Sequence, residues 1–302
     1  MSNRIKTIEL FLALGLTTAI GTDVVAVEAH DASEIVSEST TEWLIAQGAE
    51  GGEGGEGGEG GEGGEGGEGG EGGEGGEGGE GGEGGEGGEG GISTGDPDVD
   101  YMTVLGLTES HLNAAQELIA LENYEQAAHV VEHGIEIYSG IETELPERGV
   151  EDFKPTLTQL HSEIETAPES TQVQTLLDES LTSVDNAIAV IPEEQLNSPE
   201  FVLNSVVEML KRAATEYEEA ISDNQFADPA KYQSSQAIVS YADGLYQTVA
   251  EQKSESDPEQ AQIISDSLAE LTTAFPSTET PEAPIKETSE IYGLVSQIEF
   301  NK

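Results

Sequence analysis

The stretch AAHVVEHGIEIY, residues 127–138, sets His129 and His133 one helical turn apart and places Glu132 and Glu136 among them. Histidines at i and i+4 share one face of a helix. Two neutral imidazoles with a carboxylate make a ligand set for a transition metal ion such as Fe, Cu or Zn. The chain contains no cysteine, so disulfides, thiolate ligands and thiol nucleophiles are excluded and any metal must be held by His, Asp or Glu. The candidate metal ligands are His111, His129, His133, Glu132 and Glu136. His161 and His30 are isolated in the sequence and read as ordinary residues.

His111 belongs to this set through geometry. Val104, Leu107, His111, Ala114, Leu118 and Leu121 form a buried stripe at helical spacing, with the histidine standing in it. A turn centred near residues 122–123 folds the next helix back antiparallel and brings His111 level with residues 133–134. Angle argues the other way. The inward stripe of the second helix is Tyr124, Ala128, Val131, Ile135 and Tyr138, and His129 and His133 lie roughly 140° to 180° from its centre. A weaker apolar flank of Ala127, Val130 and Ile137 predicts cover on a second side. If a further helix packs there, the His/Glu patch is partly buried and gains outside ligands; if none does, it is a solvated helix face. Both readings stay open.

No catalytic machinery is expected. His129-Val-Val-Glu132-His133 matches the H-x-x-E-H pattern of inverted zinc proteases, but a glutamate between two histidines comes cheaply in a chain this acidic, and nothing points to the large α/β fold of such enzymes. There is no G-x-S-x-G elbow, no phosphate loop and no dinucleotide fingerprint. The Asp96-Pro-Asp-Val-Asp100 run resembles part of a calcium loop, yet its Gly and closing Glu are not at the required spacing, and it reads as the polar entrance to a helix.

The elements that must position these residues are helical. The formal net charge is −52, and from Ile92 onward 41 acidic residues face 8 basic ones. That balance excludes nucleic acid as a partner and points to cations, cationic surfaces or plain solubility. Residues 1–29 read as an export signal, with Arg4 and Lys6, an apolar run from Leu10 to Ile20 and a small-residue end at Val27-Glu28-Ala29. The apolar run is too short to cross a bilayer comfortably, so the expectation is a periplasmic or extracellular chain with no stable membrane insertion. Residues 30–49 form a short spacer, and residues 50–91 are fourteen Glu-Gly-Gly triplets, an acidic tether with no means of building a core.

After the tether, Ser198-Pro199-Glu200, Asp228-Pro229 and Asp257-Pro258-Glu259 each place a capping side chain before a proline at the first helical position. Apolar periodicity predicts helices near 101–120, 123–139, 150–165, 171–190, 199–222, 229–253, 258–274 and 285–300. No run alternates with period two, so no sheet is expected. The fold class is all-α: an antiparallel bundle of about eight helices over residues 92–302, or two packed bundles with a seam near 166–198.

Three resemblances bear on function. His129-x-x-Glu132 and His133-x-x-Glu136 are similar to the H-x-x-E of imelysin-type periplasmic bundles linked to bacterial iron uptake, although Ala127 and Val131 stand where that family has a glycine. ATEYEEAISDNQFADPAKYQSSQAIVSYADGLY, residues 214–246, resembles the helical extracytoplasmic module found ahead of some bacterial iron permeases, through Glu216, Tyr217, Ala220, Tyr232 and Gln233. LENYEQAAHVVEHGIEIY looks like the second half of a tetratricopeptide unit, but its period is not sustained. The first two imply a metal-binding accessory of iron or divalent-metal uptake, with a membrane metal permease or another extracytoplasmic protein as partner. The alternative is a non-catalytic structural or interaction protein whose tether only solubilises.

Overall fold

Four helices begin in the same way. Asp96, Ser198, Asp228 and Asp257 each precede a proline, whose missing N–H falls where a helix has no use for one, and each side chain accepts from the free amides of the first turn. Asp96 Oδ1 takes Asp98 N at 3.0 Å, and Asp228 Oδ1 takes Ala230 N at 3.0 Å and Lys231 N at 3.2 Å. The computed structural model describes residues 92–302. The expected export signal, spacer and Glu-Gly-Gly tether therefore lie outside the described residues.

The order is α1 (Pro97–Ala120), α2 (Tyr124–Tyr138), α3 (Leu145–Arg148), α4 (Lys154–Thr166), α5 (Thr171–Ile188), α6 (Glu193–Leu196), α7 (Pro199–Glu219), β1 (Ile221–Ser222), β2 (Gln225–Phe226), α8 (Pro229–Gln247), α9 (Ala250–Ser256), α10 (Pro258–Thr272) and α11 (Thr288–Asn301). The described residues are all-α but for one small hairpin, and eight of their helices are thirteen residues or longer. Among the described residues the expectation of no sheet fails only at β1–β2, where Asp223 and Asn224 both adopt positive φ, 51° and 60°. That is the two-residue geometry that closes a tight hairpin, and Asp and Asn tolerate it better than bulkier residues. The expected long helix over 229–253 is broken into α8 and α9 around Thr248 and Val249. Among the described residues no helix is long and apolar enough to cross a membrane.

Packing divides the long helices into two sets that share a core. α1, α2, α4 and α5 close one ring of contacts, and α7, α8, α10 and α11 close another. α1 also packs on α7 and α8, which makes it common to both, and the apolar core runs through the two without interruption. The consequence is visible around the whole circumference of α1: Thr103, Thr108, Glu109, Ser110 and His111 are as buried as Leu105 and Leu112. Buried hydroxyls need acceptors, and those of Thr103, Thr108 and Ser110 return to carbonyls one turn earlier, Val99 O, Val104 O and Leu107 O.

The acidic entrance to α1 is structural. Asp96 caps, Asp100 accepts from Thr94 N at 2.8 Å, and Asp98 accepts from Arg148 Nη1 at 2.7 Å. Arg148 lies over the Tyr101 ring at 4.1 Å from its centroid, a charge held on an aromatic face. Its pull holds the Asp98 carboxyl below the ordinary range.

Gly106 sets how closely α1 meets α7 and α8. A Cβ there would lie 2.2 Å from Met209 Cε and 2.9 Å from Tyr241 Cε1. Gly106→Ala is therefore expected to destabilise the fold by about 1–3 kcal/mol through overpacking, despite alanine's better helix propensity. Denaturant melts that show a gain in stability instead would mean that Met209 yields freely.

Candidate functional site

The site builds outward from α1. His111 is fully buried, and its Nδ1 lies 2.7 Å from Leu107 O. A carbonyl only accepts, so Nδ1 carries the proton and the ring is fixed against its own helix. Opposite stands Gly134 of α2, where a Cβ would come within 3.2 Å of His111 Cβ. Gly134 thus admits a close approach of α1 and α2 beside His111.

The next ring is His133, half-buried, its centroid 6.4 Å from that of His111 in an edge-on arrangement. His129 follows one turn earlier on α2, exposed, its centroid 6.4 Å from that of His133 and tilted by only 29°. The three histidines make a row that passes from the core of the protein to water. Height in the hairpin puts His111 beside His133, as the turn near 122–123 implies. The helical wheel underestimates the burial of His133, and the reason lies in the second apolar flank: Ala127 and Val130 are buried as well as Ala128 and Val131, because α2 is packed by α1, α4 and α8.

The expected carboxylates are on the same helix but not in the same environment. Glu132 and Glu136 are exposed. Among the described residues no group of three or more His, Asp or Glu side chains is arranged to hold a metal ion. Ring centroids 6.4 Å apart exceed the roughly 5 Å that two imidazoles span on one tetrahedral ion. Ligation by His129 and His133 needs a side-chain rotation that exposed His129 can make and buried His111 cannot. The Nδ1 atom of His133 is buried and has no hydrogen-bond partner among the described residues. His161 lies on α4 and pairs with Glu165 at 3.6 Å across one turn.

The burial of two carboxyls escaped the sequence reading. Glu109 is 3% exposed and accepts a 2.8 Å hydrogen bond from Tyr241 Oη of α8. Desolvation pushes its carboxyl up to about 7, against the pull of that hydrogen bond, and the Asp185 charge adds to the rise. Glu216 of α7 is wholly buried, 2.5 Å from Arg212 Nη2 and 3.5 Å from Lys231 Nζ, and Lys231 also pairs with Glu219. Their burial has no sequence signature, although Glu216 belongs to the E-Y-x-x-A segment: both follow a helical period as any solvated glutamate would, and only the neighbouring helices bury them.

The residues of the E-Y-x-x-A and Y-Q segments form the heart of the second helix set. Tyr217 and Tyr232 pack with Phe226 and Phe275, and their hydroxyls donate to Lys286 O at 2.8 Å and Ser277 O at 2.9 Å. They hold the loop 273–287 against α7 and α8. Residues 192–301, which run from the start of α6 to the end of α11, match the family model of the iron permease-associated 4-helix bundle domain. No curated protein and no solved structure matches the chain.

Proposed function

We propose that the chain is an exported, non-catalytic helical module that binds a transition-metal cation and serves a membrane iron permease. The match of residues 192–301 to the iron permease-associated bundle carries this reading. The rest of the molecule supports it. A net charge of −52 draws cations toward the surface, and the His129/His133 pair is the best set of nitrogen ligands on it. In this reading iron is cargo. His129 and His133 hold it by their imidazoles, Glu132 or Glu136 adds a carboxylate by rotation from solvent, and His111 backs the row from inside. The compartment follows the N-terminal signal, outside the cytoplasm, where a permease receives its ion.

Calorimetric titration of the full chain with Fe²⁺, Mn²⁺, Cu²⁺ and Zn²⁺ tests the metal, and iron uptake by cells with and without the chain tests the permease. The double variant His129→Ala/His133→Ala is expected to lose the tight site with little change in melting temperature. Affinity for the wild type should be lower in acidic buffer, because protons compete with a metal ion for imidazole nitrogens. His111→Ala, by contrast, is expected to cost about 1–3 kcal/mol of stability, from a cavity beside Gly134 and a lost hydrogen bond. A double variant that binds metal as the wild type does would reduce the row to a wet helix face. The competing reading, a scaffold or interaction module without a metal, is favoured by the exposed, unclustered carboxylates and predicts no saturable binding at all.

A further inference from the structure

One turn beyond His111 along α1, a second polar site opens between α1, α8 and the loop 273–287. A cavity of about 70 Å³ is lined there by Glu117, Gln233, Gln236, Ser240 and Thr278, with two alanine methyls for walls. A water needs only about 10–15 Å³ measured this way, so the space admits an ion with a few waters. The lining carries one carboxylate, four neutral oxygen-bearing side chains and no lysine, arginine or histidine.

Gln233 gives the cavity its direction. The residue is 3% exposed, and its Nε2 donates to Thr278 O at 3.2 Å. Because that carbonyl can only accept, the amide is oriented, and Oε1 is its acceptor. Oε1 is buried with no hydrogen-bond partner among the described residues. Such an acceptor is unfavourable when it stays unmatched. Across the cavity, Glu117 Oε2 accepts from Thr278 Oγ1 at 2.8 Å, so one carboxylate and one buried amide flank the same loop residue.

We infer that this cavity is a site for a hard divalent cation of the Ca²⁺ class. Its donors are all oxygens, which suit Ca²⁺, Mn²⁺ and Mg²⁺ over the softer metals that imidazoles prefer. Side-chain amides and a loop tolerate the variable coordination of Ca²⁺ better than the strict octahedron of Mg²⁺. Glu117 supplies the charge, and Gln233 Oε1 is the buried ligand that the ion satisfies. Bound there, the ion ties the loop 273–287 to α1 and α8 at once. No histidine takes part, so the site stands or falls separately from the proposed function.

The test is thermal unfolding and calorimetry of the full chain with CaCl₂ at about 5 mM, in the range of extracellular calcium modules, against NaCl of equal ionic strength. The wild type is expected to melt a few degrees higher in calcium. Glu117→Gln and Gln233→Leu should remove that gain and weaken binding about tenfold or more. Glu122→Gln, which removes one exposed charge from the α1–α2 turn, should keep it. No gain in the wild type would mean that the cavity holds water only and would overturn the proposal. Equal gains in all four proteins would overturn it too, by assigning the effect to diffuse screening of an acidic surface.

Discussion

Glu109→Gln is expected to stabilise the protein by up to about 3 kcal/mol near pH 8, with the advantage shrinking as pH falls to about 4.5. In the folded protein burial raises this carboxyl from 4.5 to about 7, so the folded state keeps a proton that the unfolded chain releases first. The stability from Glu109 is fully present below about 4.5, is lost as pH rises to about 7, and stays absent above it. Glutamine keeps the shape, still accepts from Tyr241 and has no charge to desolvate. The groups that face Glu109 are Tyr241 of α8, whose hydroxyl is itself held neutral by burial and by Glu109, and Asp185 of α5. Neither offers a positive charge. Denaturant melts of both proteins from about pH 4.5 to 8 isolate the effect, because the acidic surface contributes equally to each. Parallel stability curves would show that Glu109 ionises in the fold as it does in water.

The second large effect is expected at Glu216. Glu216→Leu should destabilise by about 2–3 kcal/mol, somewhat less than the loss from breaking a fully buried pair, because Arg212 and Lys231 remain partly in contact with water. The damage comes from losing a buried carboxylate that two cations share. Lys231 keeps Glu219, and Arg212 gives up one contact, the carboxylate 2.5 Å from its Nη2. The double variant Arg212→Met/Glu216→Leu is expected to recover part of the loss, since an apolar pair in such a place is often as stable as the ion pair it replaces. A double variant as unstable as the single one would show that the ion pair itself holds α7 and α8 in place.

Helix starts were the most legible part of the fold. A capping oxygen before a proline is a local device, and Ser198, Asp228 and Asp257 all use it. Asp223-Asn224 carried a hairpin signal too, but a hairpin this short has no alternating strands to announce it. The break between α8 and α9 has no such marker, since neither Thr248 nor Val249 stops a helix by its own chemistry. Of the candidate site, the height of His111 against His133 was legible because hairpin geometry fixes it. Burial of His133 was less so, because a wheel drawn for one helix cannot count the helices that pack on it. The burial of Glu109 and of Glu216 was illegible for the same reason, although the E-Y-x-x-A segment had singled Glu216 out.

The burial of α1 on every side bears on how the molecule can come apart. A cut at residue 192 would keep the segment that matches the permease-associated bundle but strip α7 and α8 of the helix that covers them. The excised piece would present a sticky apolar trough and associate with itself. In the intact chain neither half can fray while the other holds, so backbone amides in the middle of α1 exchange with solvent only when the whole domain opens.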